Sequence, residues 1–268
     1  MAKIYFLNHP DGEHSYGSAT MGATIPIPWN HSRVHKRKFI QRQGEYLANG
    51  SIVSDTLYFW GEYEPYSEAT IVSANQPKAV HDNLKPVLSL PPMPVNAQNS
   101  DPYVYGCFRN ICCRRGKMKY QKGDILVFGT MNVESNSIEF DTVIVVEKLV
   151  PISSLSPNDQ YFLASVKPIG KPKHDDFVEG AVFRGIENQY FSFVPCLPAS
   201  TIADERAINA ANTFKKPVLD LSAFGTQVHQ SAYGKVCKSV SLRPCYWNAI
   251  VDAVRAHGLE LGVSIDKI

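Results

Sequence analysis

Short runs of apolar, β-branched and aromatic residues recur along the chain, and polar segments separate them. The runs at 4–7 (IYFL) and 55–64 (DTLYFWGEYE) each predict a strand, because such residues fit a pleated, half-buried surface. GDILVFGT at 123–130 and SIEFDTVIVVEKLV at 137–150 flank the polar segment MNVESN. This arrangement predicts a long β-hairpin.

The later part of the chain contains further strand signals. Val143–Val146 is an unbroken apolar run, which predicts a strand segment that is buried on both faces. AVFRGI at 181–186 and QYFSFVPCL at 189–197 predict a second strand pair that turns at 187–188.

Three segments carry helix signals. Ser156, followed by Pro157, is a typical start for a helix that runs through 160–166. Thr201, followed by Asp204 and Glu205, predicts a helix that reaches about Phe214. The segment 244–258 predicts an amphipathic C-terminal helix that ends at Gly258. Its apolar stripe consists of Trp247, Ile250, Val251 and Val254.

These elements predict one α+β domain over residues 1–268, with a mixed or antiparallel sheet and a few helices. The composition agrees with a globular protein, since 44% of the residues are hydrophobic and 19% are charged. No apolar run approaches the roughly 18 to 20 residues that a spanning helix needs. The apolar run near the N-terminus is too short for a secretory signal. We therefore expect a cytoplasmic protein with no membrane association.

Metal and cofactor signatures are missing from the sequence. No pair of CxxC motifs occurs, so the cysteines are expected to be free thiols. His31 and His35 have the spacing of metal ligands on a helix, but the surrounding cations oppose a metal ion. No glycine-rich nucleotide motif is present either. We expect no metal and no cofactor.

The net charge is only +2, yet cations are concentrated in two short segments. The first contains Arg33, His35, Lys36, Arg37, Lys38 and Arg42, and the second contains Arg109, Arg114, Arg115, Lys117, Lys119 and Lys122. A solvated surface would explain one such segment. Two segments beside aromatic-rich stretches indicate contact with a polyanion, mainly with phosphate groups.

Aromatic and acidic residues alternate in FWGEYEPYS at 59–67. On an extended strand Trp60, Glu62 and Glu64 share one face. A ring beside two carboxylates suits a nucleobase or a sugar, because the ring stacks and the carboxylates accept hydrogen bonds. An edge strand with solvated glutamates and a partly buried tryptophan is the alternative interpretation.

A second aromatic stretch, NSDPYVYGCFRN, spans 99–110. Asp101 precedes a proline, which holds it at a rigid turn, and Tyr103 and Tyr105 follow on one face. Such a turn could hold an acid beside a flat ligand, with Asn110 and Arg109 adding contacts to a base edge or a phosphate. A turn in which Asp101 bonds its own backbone is the alternative.

The strings HKRKFI, FWGEYEPYS, NSDPYVYG, DILVFGT and FDTVIVV, over about residues 35–147, resemble bacterial and phage nucleotide-modification-associated domains. That resemblance implies a role in or against DNA base modification, including defence against phage. The tripeptide DPY at 101–103 is similar to the water-activating loop of uracil-DNA glycosylases, although its flanking residues differ. GDILVFG and its partner strand resemble the barrel hairpin of PUA-like readers of modified bases.

Together these observations predict an enzyme that acts on a modified nucleobase in DNA and cleaves its N-glycosidic bond. The expected catalytic residues are Asp101, Glu62 and Glu64. The expected base-binding residues are Trp60, Tyr103, Tyr105 and Asn110. The two cationic segments would hold phosphates. Two alternatives stay open: a non-catalytic reader of modified bases, and a hydrolase or transferase of free nucleotides or nucleotide sugars.

Overall fold

The computed structural model describes residues 1–8, 38–61, 102–105, 120–151, 176–204, 208, 214–228 and 239–266. Its strands are β1 (Lys3–Asn8), β2 (Lys38–Ala48), β3 (Ser51–Gly61), β4 (Val104–Tyr105), β5 (Ile125–Asn132), β6 (Ser137–Pro151), β7 (Asp176–Gly180), β8 (Val194–Pro198), β9 (Val218–Asp220), β10 (Val240–Ser241) and β11 (Glu260–Ile265). One α-helix, α1 (Pro244–Ala256), lies within these ranges.

Seven strands form a mixed sheet in the order β10-β1-β5-β6-β7-β4, with β9 paired to β6. β1 runs parallel to β5, and β5 and β6 form the predicted antiparallel hairpin. The long strand β6 uses one edge for β5 and the other for β7 and β9. The prediction of an α+β fold with a mixed sheet and few helices is confirmed.

The remaining four strands close into a small barrel in the order β11-β2-β3-β8. β2 and β3 pair along their full length of 11 residues each. The hairpin that resembles a PUA-like barrel element is not part of this barrel, because β5 and β6 lie in the mixed sheet. The strand β2 was not predicted at all.

The described residues form three hydrophobic clusters. The largest combines the outward face of the barrel, one face of the mixed sheet and α1. A second covers the other face of the sheet. A third is drawn from the four barrel strands and Tyr103, and it contains the buried free thiol of Cys196. Val143–Val146 alternates between the first two clusters, so its predicted burial on both faces is confirmed.

Helix α1 has the predicted position and buries Trp247, Ile250 and Val254. Gly258 follows it with a φ of 71°, a left-handed conformation that glycine adopts without strain. Among the described residues, no helix is long and apolar enough to cross a membrane.

The predicted helix from Thr201 to Phe214 is wrong at its start. Thr201 ends the short 3₁₀ helix Ala199–Thr201, and Ile202 is extended. The Thr201 hydroxyl donates a hydrogen bond to the Pro198 carbonyl over 2.7 Å instead of capping a following helix. Ile208 and Phe214 also lie outside any helix, and the predicted helix at 156–166 lies outside the described residues.

The first strand of the predicted pair at 181–197 is also wrong. Residues 181–184 are irregular and lead into the 3₁₀ helix Gly185–Glu187. The Asn188 side chain holds this loop, because its amide donates to the Val182 carbonyl over 2.7 Å and its oxygen accepts from the Arg184 N–H over 2.8 Å. A side chain therefore satisfies backbone groups that a strand partner would otherwise take.

Asp55 on β3 links the barrel to the turn at Ala199–Thr201. Its carboxylate accepts hydrogen bonds from the backbone N–H of Ser200 over 2.9 Å and of Thr56 over 2.7 Å. Burial acts to raise the pKa of Asp55, but the bonds from Ser200 and Thr56 together hold it below its usual value.

Replacing Asp55 with Asn is expected to lower the free energy of unfolding by about 1 kcal/mol at pH 7. Because the pKa is lowered in the folded state, this contribution is complete above the unfolded pKa of about 4 and is lost as the pH falls through the folded value. Urea unfolding at several pH values should therefore show the difference from wild type shrinking below about pH 4. Asp252→Asn, at an exposed position of α1, is the charge control. If Asp55→Asn and the wild type differ in free energy of unfolding by the same amount at pH 7 and at pH 2.5, the ionised Asp55 carboxylate does not stabilise the fold as proposed.

Candidate functional site

A β-bulge in β6 turns the side chain of Asp141. Thr142 pairs with Phe128 and Phe140 pairs with Gly129, so Asp141 has no opposite residue on β5. A Cβ atom at Gly129 would lie 2.5 Å from the Phe140 Cα atom. The glycine therefore permits the close approach of the two strands at the bulge, and bulges of this kind redirect side chains.

Lys216 lies beside Asp141 on the opposite edge of β6. The register of β6 with β9 pairs Glu139 with Val218, and the Phe140 N–H donates to the Pro217 carbonyl over 2.9 Å. Because the two segments are antiparallel, Asp141 and Lys216 are the next residues to face each other. The Lys216 Nζ atom lies 3.1 Å from the Asp141 Oδ2 atom. The side chains are 12% and 1% exposed, so this ion pair is largely buried.

Trp60 on β3 packs against the ion pair of Lys216 and Asp141. The Lys216 Nζ atom lies 4.6 Å from the centroid of the Trp60 ring, a cation–π distance. Phe39 contacts the same ring at 5.5 Å between centroids. Trp60 is 5% exposed, and within the part of the chain that the structure describes its Nε1–H has no hydrogen-bond partner. We call these three residues the Trp60–Asp141–Lys216 cluster.

This cluster combines a flat ring, a carboxylate and an ammonium group from three separate stretches of chain. An unpaired buried N–H costs about 1 to 3 kcal/mol, and a ligand with an acceptor atom would remove that cost. The ammonium can donate protons and hydrogen bonds, and the carboxylate can offset positive charge. Among the residues that the structure describes, no three His, Cys, Asp or Glu side chains are grouped to hold a metal ion.

The three rings predicted to form one base cradle are buried in three different clusters. Trp60 packs between the barrel and the sheet. Tyr103 belongs to the barrel cluster, where its hydroxyl donates to the Gly262 carbonyl over 2.8 Å. Tyr105 packs on the far face of the sheet, 4.6 Å from Phe128 between ring centroids. The prediction of one shared cradle is wrong for these rings, because each completes a different part of the core.

The other predicted site residues lie outside the described ranges. These are Glu62, Glu64, Asp101, Asn110, Arg33, Lys36, Arg37, Arg109, Arg114 and Arg115. Lys38 begins β2 opposite Gly61, and its side chain is not described. Their roles stay predictions from the sequence.

Lys122, at the end of the second cationic segment, is within the described residues. Its Nζ atom lies 2.7 Å from the Glu147 Oε1 atom. The hydrogen bond from Lys122 outweighs the effect of burial and lowers the pKa of Glu147. This cation is therefore already paired with an acid on the surface.

Sequence reasoning missed Asp141 and Lys216 as members of a site. A signal for Asp141 was present, because it stands inside the apolar strand sequence 137–150. A charge in such a strand requires a partner when the strand is buried on both faces. Nothing in the sequence indicated that the partner is Lys216, which is separated from it by 75 positions.

No family model, curated protein or solved structure matches the chain.

Proposed function

We propose that this protein acts on a modified nucleobase in DNA and cleaves the N-glycosidic bond between the base and its deoxyribose. The observation that carries the proposal is the Trp60–Asp141–Lys216 cluster. The Lys216 ammonium lies 3.1 Å from the Asp141 carboxylate and 4.6 Å from the centroid of the Trp60 ring. Glycosidic cleavage uses these groups together: a carboxylate for the sugar, a proton donor for the base and a ring for packing.

The chemistry follows from where charge develops. As the base departs, the sugar acquires oxocarbenium character, which the Asp141 carboxylate would offset. The Lys216 ammonium would donate a proton toward the departing base. Trp60 would direct its unpaired Nε1–H to an acceptor atom of the extruded nucleotide. Taking a base out of the duplex costs a few kcal/mol, and these contacts would return part of that cost.

The proposal also includes site residues that the sequence predicts and that lie outside the described ranges. Asp101 would orient a water molecule, as the DPY likeness implies, and Glu62 or Glu64 would recognise the base or a sugar attached to it. The cationic segments around Arg37 and Arg114 would hold the DNA backbone. A cytoplasmic location and a part in phage defence belong to the same proposal.

An assay for abasic sites tests this function. The protein is incubated without metal with duplexes that carry uracil, 5-hydroxymethylcytosine, glucosylated 5-hydroxymethylcytosine or N6-methyladenine, and with an unmodified duplex. We expect abasic sites in at least one modified duplex, none in the unmodified one, and loss of product with Asp101→Asn. Absence of product from every duplex would contradict glycosidic cleavage.

Binding measurements separate the alternatives. Tight binding to a modified duplex without any product would support a non-catalytic reader. A change in melting temperature with mononucleotides alone would support an enzyme of free nucleotides. If about six phosphates are contacted, the affinity for duplex DNA should fall with salt with a log–log slope near −5.

A further inference from the structure

We propose that a second copy of this chain pairs with an open edge of β3, so that the β2–β3 hairpins of two copies form one continuous sheet. The edge consists of residues 51–54, at the start of β3, and all of them are exposed. We call these residues the free edge of β3. This surface does not depend on the Trp60–Asp141–Lys216 cluster and goes beyond the proposed reaction.

β3 is longer than the strand on its outer side. β2 covers the inner side of β3 along its whole length. On the outer side, β8 pairs only with Leu57, Tyr58 and Phe59. Within the part of the chain that the structure describes, no strand pairs with the outer side of the free edge.

The turn of the hairpin determines which backbone groups point away from β2. Asn49 and Gly50 form a two-residue turn with φ angles of 49° and 81°, so the flanking residue Ser51 bonds back to β2. Backbone direction alternates along an antiparallel strand, so the N–H and C=O groups of Ile52 and Ser54 point outward. These groups have no hydrogen-bond partner among the described residues.

Asp55 marks the end of the free edge. The next outward N–H group belongs to Thr56, and it donates to the Asp55 carboxylate over 2.7 Å. The same carboxylate accepts the Ser200 N–H over 2.9 Å, at the turn that follows β8. A side chain therefore satisfies the edge at Thr56, whereas the outward groups of Ile52 and Ser54 stay open to an incoming strand.

The free edge is complementary to itself. Ile52 and Ser54 lie symmetrically about Val53, so antiparallel pairing about a two-fold axis sets Ile52 opposite Ser54 of the second copy. Each such pair exchanges both of its backbone hydrogen bonds, and the two copies of Val53 meet at about 4.5 Å between Cα atoms. Ile52 is 50% exposed and Val53 is 37% exposed, so the contact removes apolar surface from water.

The composition of the free edge favours the same occupant. Residues 51–54 carry no charge, so two copies meet without like-charge repulsion. The edge also lacks the lysine, the proline and the bulge with which proteins usually block an exposed strand. Because a short edge gives a small interface, we expect a reversible dimer with a Kd of about 100 µM.

Sedimentation velocity of the purified full chain tests the dimer. Wild-type protein should shift from monomer to dimer between about 5 and 500 µM. Val53→Lys brings two ammonium groups together at the axis and should weaken the dimer at least tenfold. Val133→Lys is the matched control, because Val133 is 42% exposed in the turn between β5 and β6. This control should dimerise as wild type does, and circular dichroism should show both variants folded.

A cysteine at the axis tests the register. Val53→Cys sets two thiols opposite each other in a non-hydrogen-bonded pair, whose Cα spacing allows a disulfide. In oxidised glutathione this variant should form a covalent dimer on a non-reducing gel at least tenfold faster than Ile52→Cys, because Ile52 faces Ser54 of the second copy. Wild-type protein gives the background from the native cysteines.

Three results would overturn the proposal. The first is a wild-type protein that stays monomeric at every concentration. The second is a dimer that Val53→Lys weakens no more than Val133→Lys does, which would place the contact on another surface. The third is equal cross-linking of the two cysteine variants, which contradicts a two-fold axis at Val53.

Discussion

Replacing Asp141 with Asn is expected to lower the free energy of unfolding by about 3 to 5 kcal/mol. The substitution leaves the Lys216 ammonium in a largely buried position beside a neutral amide, and a buried charge without its partner is costly. Urea unfolding of the purified variant at pH 7 measures the effect.

A surface ion pair provides the matched control. Lys148 and Glu179 lie 2.9 Å apart, with side chains that are 60% and 37% exposed. Lys148→Met should cost no more than about 1 kcal/mol, because solvent screens exposed charges. Combining Asp141→Asn with Lys216→Met should recover part of the lost stability, since the largely buried Lys216 charge is then removed as well. If Asp141→Asn costs no more than Lys148→Met, the ion pair is not buried as described.

Replacing Gly129 with Ala is expected to cost at least about 3 kcal/mol or to prevent folding. The added Cβ atom would lie 2.5 Å from the Phe140 Cα atom and 2.8 Å from the Glu139 carbonyl carbon. Backbone atoms cannot yield as a flexible side chain would, so β5 and β6 would have to separate at the bulge. Circular dichroism and urea unfolding measure the change.

Gly50 is the control for conformational strain alone. It has a φ of 81°, but nothing lies within 4 Å of a Cβ atom at this position. Gly50→Ala should therefore cost only about 1 to 2 kcal/mol, the usual cost of a left-handed non-glycine residue. If Gly129→Ala and Gly50→Ala lower the free energy of unfolding equally, the close approach of β5 and β6 at Gly129 does not add to the cost of the substitution.

Local sequence patterns predicted the elements that local physics controls. The hairpin of β5 and β6 joins runs of apolar residues across a short polar turn, and α1 has a clear apolar stripe and a glycine stop. β2 was missed because its sequence begins within the first cationic segment, although Phe39 and Ile40 are fully buried. Charge in one part of a segment thus concealed the apolar pattern that follows.

The predicted rings illustrate a different limit. Trp60, Tyr103 and Tyr105 were grouped because aromatic residues near acids suit a flat ligand. In the structure each ring is buried in a different cluster, because β3 and β4 belong to different sheets and Tyr103 packs into the barrel. Spacing along a strand specifies which residues share a face, but it does not specify what that face packs against.

By itself, the sequence determined the strand-rich composition, the hairpin, the C-terminal helix and the burial of Val143–Val146. Only the tertiary structure decided that a carboxylate, an ammonium group and an indole ring meet at one point. Asp141, Lys216 and Trp60 come from β6, from the segment before β9 and from the barrel strand β3. Their meeting depends on strand pairing between distant segments and on a one-residue bulge, neither of which leaves a periodic pattern in the chain.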